Sequence, residues 1–157
     1  NLLTGRKSLA RVSGSPGKTR TINFYTINDD AFRIVDLPGY GYAKVSRSVS
    51  GTWGDMIETY LKNRKTLQKV VLLTDIRHEP SAQDKQMYEW LVHYGLDGII
   101  AATKSDKISR NAINKNIAII RKALGAKDAQ IVPVSALKRT GLNELLAEIE
   151  KVLEPNE

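Results

Sequence analysis

No cysteine occurs among the 157 residues. Disulfides, thiolate metal sites and cysteine nucleophiles are excluded, and a cytoplasmic address suits the composition. Long apolar runs are missing as well. The longest, Val70–Leu73 and Gly98–Ala102, hold four and five residues, whereas a membrane-spanning helix needs about 20. No membrane partner is therefore expected. The opening Asn1-Leu2-Leu3 passes directly into Thr4-Gly5-Arg6-Lys7 without the apolar core of a signal peptide. Acidic residues are absent from residues 1–28, which carry five basic ones. The net charge of +7 is confined to the first part of the chain: residues 1–70 hold 12 Lys and Arg against 5 Asp and Glu, while residues 71–157 hold 12 of each. A one-sided positive field of this kind points to phosphates, on a nucleotide or along nucleic acid.

What is present reads as one α/β domain. Thr21–Ile27 is β-branched and aromatic, Asn28-Asp29-Asp30 turns the chain, and Phe32–Asp36 returns as its antiparallel partner. Lys69–Ile76, Gly98–Thr103 and Gln130–Ser135 are nearly continuous apolar runs, as expected of parallel strands covered on both faces. Helical patterns fill the intervals. Residues 50–64 place Met56, Ile57, Tyr60 and Leu61 on one face. Ser81 with Asp84 opens a second helix with the stripe Met87, Leu91 and Tyr94. Ser109 opens a third, with Ile113, Ile117, Ile120 and Leu124 inward and Gly125 as its stop. Thr140 begins the last, with Leu142, Leu145, Leu146, Ile149, Val152 and Leu153 toward the core.

The stretch Gly14-Ser15-Pro16-Gly17-Lys18-Thr19 ends like a phosphate loop, yet only two residues separate its glycines and a strand, not a helix, follows. It is not that loop. Three other segments fall at strand carboxyl ends, the ligand-binding edge of such sheets. In Asp36-Leu37-Pro38-Gly39 the aspartate can reach Mg²⁺ through water, and a glycine amide can approach a γ-phosphate closely. In Thr103-Lys104-Ser105-Asp106 the carboxylate of Asp106 can accept from both N1–H and the 2-amino group of guanine, while the Lys104 stem lies along the base. In Val134-Ser135-Ala136 a backbone N–H can meet the guanine O6. Each alone is an ordinary loop; their order and common placement are the signal.

Together "PGKTRTINFY", "DLPGYGYAKV", "DIRHEPSAQD", "TKSD" and "VSAL" resemble the EngB family of bacterial GTPases, from Asn1 to about Leu153. The resemblance implies a three-layer P-loop NTPase fold like that of small GTPases, with a mostly parallel sheet and one antiparallel edge pair. It implies GTP and GDP as bound nucleotides and Mg²⁺ as cofactor. Residues 17–21 become the first switch loop: Thr19 is the switch threonine that completes the Mg²⁺ shell, and Gly17, Lys18, Arg20 and Thr21 surround it. It further implies association with the large ribosomal subunit or its rRNA, a role in division-septum formation, and a monomer.

By this resemblance the family's phosphate loop and the strand feeding it precede Asn1, so residues 1–157 are expected to form a single, N-terminally incomplete G domain that is inactive without that loop. Tyr40 stands where many GTPases keep a water-orienting glutamine, which implies slow intrinsic hydrolysis, and no catalytic residue is assigned. His78 and His93 lack a carboxylate pattern and read as structural. Asp75 and Arg77 read as braces of a strand end, Trp53 and Trp90 as core or partner-facing aromatics, and Lys62, Arg64, Lys65 and Lys69 as a solvated face or an RNA contact. The rival reading is a nucleotide-independent basic RNA-binding module with a vestigial GTP site.

Overall fold

The structure is a computed structural model that describes residues 1–10, 21–39 and 47–153, with side chains from residue 54 onward in the last of these. Two compact units divide the chain, residues 3–65 with Asn1 and residues 66–157 with Leu2.

The first unit is built on a hairpin. Strand β1 (Asn23–Ile27) pairs antiparallel with β2 (Phe32–Asp36), in a register running from Asn23↔Asp36 to Ile27↔Phe32. Asn28, Asp29 and Asp30 all adopt positive φ, at 50°, 54° and 71°. Asn and Asp tolerate this left-handed region better than other side-chain-bearing residues, which is why this triplet makes the turn. Arg33 closes over it with two hydrogen bonds of 3.0 Å to the Asp30 carboxylate. Helix α1 (Arg47–Asn63) begins three residues before the expected start and buries Ile57 and Leu61, one turn apart. Tyr60 meets the Phe24 ring edge-on at 6.3 Å, and the Arg64 guanidinium lies over the same ring at 5.3 Å.

The second unit holds a parallel sheet of β3 (Val71–Asp75), β4 (Ile99–Thr103) and β5 (Gln130–Pro133), in that order. The register sets Asp75 opposite Thr103 and Ala102 opposite Pro133, so the three carboxyl ends fall side by side. Helices α2 (Ala82–His93), α3 (Arg110–Leu124) and α4 (Leu142–Leu153) connect and cover the strands, with α2 against α3 and both α3 and α4 against β5. A capping box starts α2: the Ser81 hydroxyl accepts from the Asp84 amide, and the Asp84 carboxylate accepts from the Ser81 amide. Gly125, at φ 65°, ends α3 as expected.

As expected, the described strands comprise one antiparallel pair, β1 with β2, and one parallel sheet of β3, β4 and β5. Two other expectations are corrected. First, β3 is not covered on both faces, because Leu72 and Thr74 are buried while Leu73 is 61% exposed. Strand alternation sends neighbouring side chains to opposite faces, and among the described strands only β4 is buried on both. Finally, α4 starts at Leu142 and buries Leu145, whereas Leu146 and Leu153 are exposed.

Candidate guanine-nucleotide site

The second unit brings together two of the segments that the sequence singles out. Strand β4 ends at Thr103, whose hydroxyl donates to the Thr74 carbonyl of β3 at 2.8 Å. Lys104 then turns the chain with φ 62°, a left-handed conformation that few non-glycine residues adopt. A single 3₁₀ turn, Ser105–Lys107, follows, and its Lys107 amide returns to the Lys104 carbonyl at 2.9 Å. From β5 the chain continues through Val134, whose amide extends the ladder to the Ala102 carbonyl and whose carbonyl receives the Ser105 amide at 3.1 Å. The two loops are thus stitched together by backbone before any side chain is counted.

Ser135 joins them a second time. It is fully buried, and its Oγ donates to Asp106 Oδ1 at 2.6 Å while accepting from the Lys138 amide at 3.0 Å. The hydroxyl holds the Asp106 carboxyl below its ordinary value of 3.8, with Lys107 nearby adding to the effect. Asp106 is therefore an acceptor at neutral pH. Only 9% of its side chain is open to solvent, with Lys107 Nζ 3.6 Å from Oδ2. A carboxylate oxygen has two lone pairs, so the bond from Ser135 fixes the group and leaves acceptor capacity for further donors.

The segment beyond Ser135 is closed on itself. The Ser135 amide donates to the Thr140 carbonyl at 3.0 Å, Arg139 takes φ 55°, and Gly141 takes φ 73°. A Cβ at Gly141 would lie 2.0 Å from the Pro133 carbonyl oxygen, so the chain can pass only as glycine. This closure sets Ala136 on the exposed side of the loop.

A further cluster was only partly legible. Asp75, the last residue of β3, accepts from the Arg77 amide at 3.1 Å, from Arg77 Nε at 2.9 Å and Nη2 at 2.7 Å, and from Lys104 Nζ at 2.8 Å. The Arg77 fork, and after it Lys104, holds this carboxyl well below the usual carboxylate range. Asp75 and Arg77 do brace a strand end, as their spacing suggests. The link to Lys104 spans 29 residues and has no local sequence signal.

The remaining candidates divide by unit. Asp36 closes β2 and is exposed, Leu37 is half-buried, Pro38 is buried and Gly39 is exposed, all in the first unit. Thr21, also exposed there, donates from Oγ1 to Asn23 Oδ1 at 3.3 Å. Gly17, Lys18, Thr19 and Arg20, with Tyr40, lie outside the described residues, as does the Trp53 side chain. Trp90 is half-buried on α2, and both His78 and His93 are exposed. Among the described residues no group of three His, Cys, Asp or Glu side chains is placed to hold a metal, and no helix is long and apolar enough to cross a membrane.

Comparison with known proteins agrees with this geometry. Residues 1–104 match the family model described as 50S ribosome-binding GTPase. The "Probable GTP-binding protein EngB" of Alkaliphilus oremlandii is 57% identical over 157 residues, covering 99% of this chain and 75% of that protein. Its counterpart in Clostridioides difficile is 53% identical over 150 residues, covering 95% and 73%. Among solved structures, the crystal structure of a probable GTP-binding protein engB matches with a TM-score of 0.78 at 22% identity, over 97% of this chain and 88% of that one. Elongation factor SelB from Methanococcus maripaludis, solved with a GTP analogue, matches at 0.64 and 24% identity, over 88% of this chain and 29% of its own. The structural matches give the P-loop GTPase fold. By family model and sequence identity together, the chain belongs to the EngB family of GTP-binding proteins.

Proposed function

We propose that the protein is a GTP-binding switch that selects guanine with Asp106, Lys104 and Ala136 and hydrolyses GTP slowly to GDP and phosphate. The observation that carries the reading is Asp106, ionised and fixed by the buried Ser135 hydroxyl at the carboxyl edge of the parallel sheet. Guanine offers two adjacent donors, N1–H and the 2-amino group, that a fixed carboxylate accepts; adenine offers neither. The Lys104 stem supports the base, and Thr103 and Ser105 hold that loop in place. The Ala136 amide, in the loop closed through Val134, Ser135 and Thr140, meets O6.

Within residues 1–157, the contacts to phosphate and metal fall to the first switch and to the end of β2, beside the phosphate loop that the family places before them. Asp36 carries an exposed carboxylate there, a hard oxygen donor suited to Mg²⁺ directly or through water. Thr19 supplies the second oxygen, Gly39 approaches the γ-phosphate, and Gly17, Lys18, Arg20 and Thr21 shape the switch around it. Leu37 and Pro38 hold the backbone that presents Gly39. Bound Mg²⁺ supplies charge neutralisation at the phosphates. Water attacks the γ-phosphorus in line as the bond to the β-phosphate oxygen breaks, and positioning and electrostatics provide the acceleration. With tyrosine at position 40 and no amide there to orient the water, turnover is slow.

The setting is assembly of the large ribosomal subunit in the cytoplasm, with normal septation depending on it. Family membership and the basic excess of residues 1–70 support an rRNA-facing role, for a monomer whose single G domain includes residues 1–157. Calorimetric titration of the full-length protein with GDP and with ADP tests the central part. GDP should bind at least about 100-fold more tightly, because a site built to accept two hydrogen bonds strongly rejects a base that lacks the donors. Equal affinities, with salt-sensitive RNA binding indifferent to nucleotide, would instead favour the RNA-binding module.

A further inference from the structure

Lys104 is the least constrained member of the base site by its own chemistry. Its side chain is 54% exposed, its stem has four rotatable bonds, and its backbone sits in the left-handed region at φ 62°. An unrestrained lysine there would sample many rotamers, and ordering it on arrival of the base would cost affinity. Its ammonium is instead tied at 2.8 Å to Asp75 Oδ2. Asp75 is itself held by both arms of the Arg77 fork and by the Arg77 amide, and the β3–β4 register sets it opposite the residue before Lys104. Asp75 is thus fixed from its own strand end by three contacts from Arg77.

We propose that Asp75 is a positioning residue of the guanine site, anchoring the Lys104 ammonium so that its methylene stem is presented as a preformed shelf for the base. The proposal rests on the base-site reading above. It assigns the Asp75–Arg77 pair a role in nucleotide affinity that bracing the end of β3 does not require. Because Arg77 keeps the carboxylate charged, the anchor persists across the whole neutral range. The Arg77 fork occupies Oδ1 and shares Oδ2 with Lys104, so neither cation displaces the other.

The test is a double-mutant cycle on GDP affinity in the full-length protein. Asp75→Asn and Lys104→Met, which keeps the stem and removes the ammonium, should each weaken GDP binding by about 5- to 10-fold, and the double variant should be no weaker than either single, as for two residues acting through one contact. Asp75→Glu retains the charge but moves it by one methylene, so it should cost about 2- to 3-fold and cost nothing further once Lys104 is Met. This variant carries the test if Asp75→Asn does not fold. Effects of Asp75 substitution that multiply with those of Lys104→Met would overturn the proposal in favour of a merely structural brace. Tighter GDP binding in Asp75→Asn would also overturn it, by showing that Asp75 withholds Lys104 from the base. Asp106→Asn, run alongside, separates the two levels: unchanged GDP affinity in that variant removes the base site itself.

Discussion

Two carboxylates organise the carboxyl edge of the parallel sheet, each held by a different kind of partner. Ser135 fixes Asp106 through a neutral hydroxyl, and Arg77 and Lys104 fix Asp75 through charge. Both carboxyls titrate below the ordinary value of 3.8. The sign follows directly: a depressed pKa in the folded state means that ionisation stabilises the fold above 3.8, and that the contribution fades as pH falls through the folded-state value. Carbon-13 titration of the side-chain carboxyls should therefore find Asp75 and Asp106 still mostly ionised at pH 3.8, where an ordinary aspartate is half protonated. Midpoints at or above that value would contradict the contacts described. The identity of Asp106 was legible in "TKSD" and its partner's place in "VSA". The use of the Ser135 hydroxyl was not, because that contact spans 29 residues and leaves no periodicity. The sequence reading assigned to that segment only a backbone N–H.

The starts of α2 and α3 were legible, since their signals are local, whereas α1 starts earlier and α4 later than expected. Ser81 and Asp84 form the reciprocal cap that their spacing implies. Ser81→Ala should cost about 1 kcal/mol of stability and lower the thermal midpoint by about 2–4 °C, as followed by circular dichroism. An unchanged midpoint would mean that α2 is held by its buried Met87, Tyr88 and Leu91 alone. Gly125 likewise marks the end of α3. Faces were harder to assign than ends. The run Val70–Leu73 is uniformly apolar, and composition alone does not tell a strand covered on both sides from an edge strand. Leu73 is exposed because, among the described residues, its face of β3 is left uncovered, which the composition of the run does not encode.

Across the whole molecule, the unit with the parallel sheet carries residues 103–106 and 134–136, and the hairpin unit carries Asp36 and Gly39. The antiparallel pair and the three parallel strands were legible, because the turn at residues 28–30 and the apolar runs are local signals. Charge is allocated as well: the basic excess belongs to residues 1–70, while the part bearing Asp106 and Asp75 is balanced. Membership of the EngB family and the geometry around Asp106 both support the proposal that this edge selects guanine.

The most direct measurement is titration of GDP and xanthosine diphosphate into the wild-type full-length protein and into Asp106→Asn. Replacing the carboxylate with an amide sets a donor against the guanine 2-amino group, whereas xanthine presents a carbonyl oxygen there that the amide can satisfy. The account predicts a loss of at least about tenfold in GDP affinity, roughly 1.4 kcal/mol, together with a gain for xanthosine diphosphate. Unchanged affinity for GDP, with no gain for the xanthine nucleotide, would contradict it.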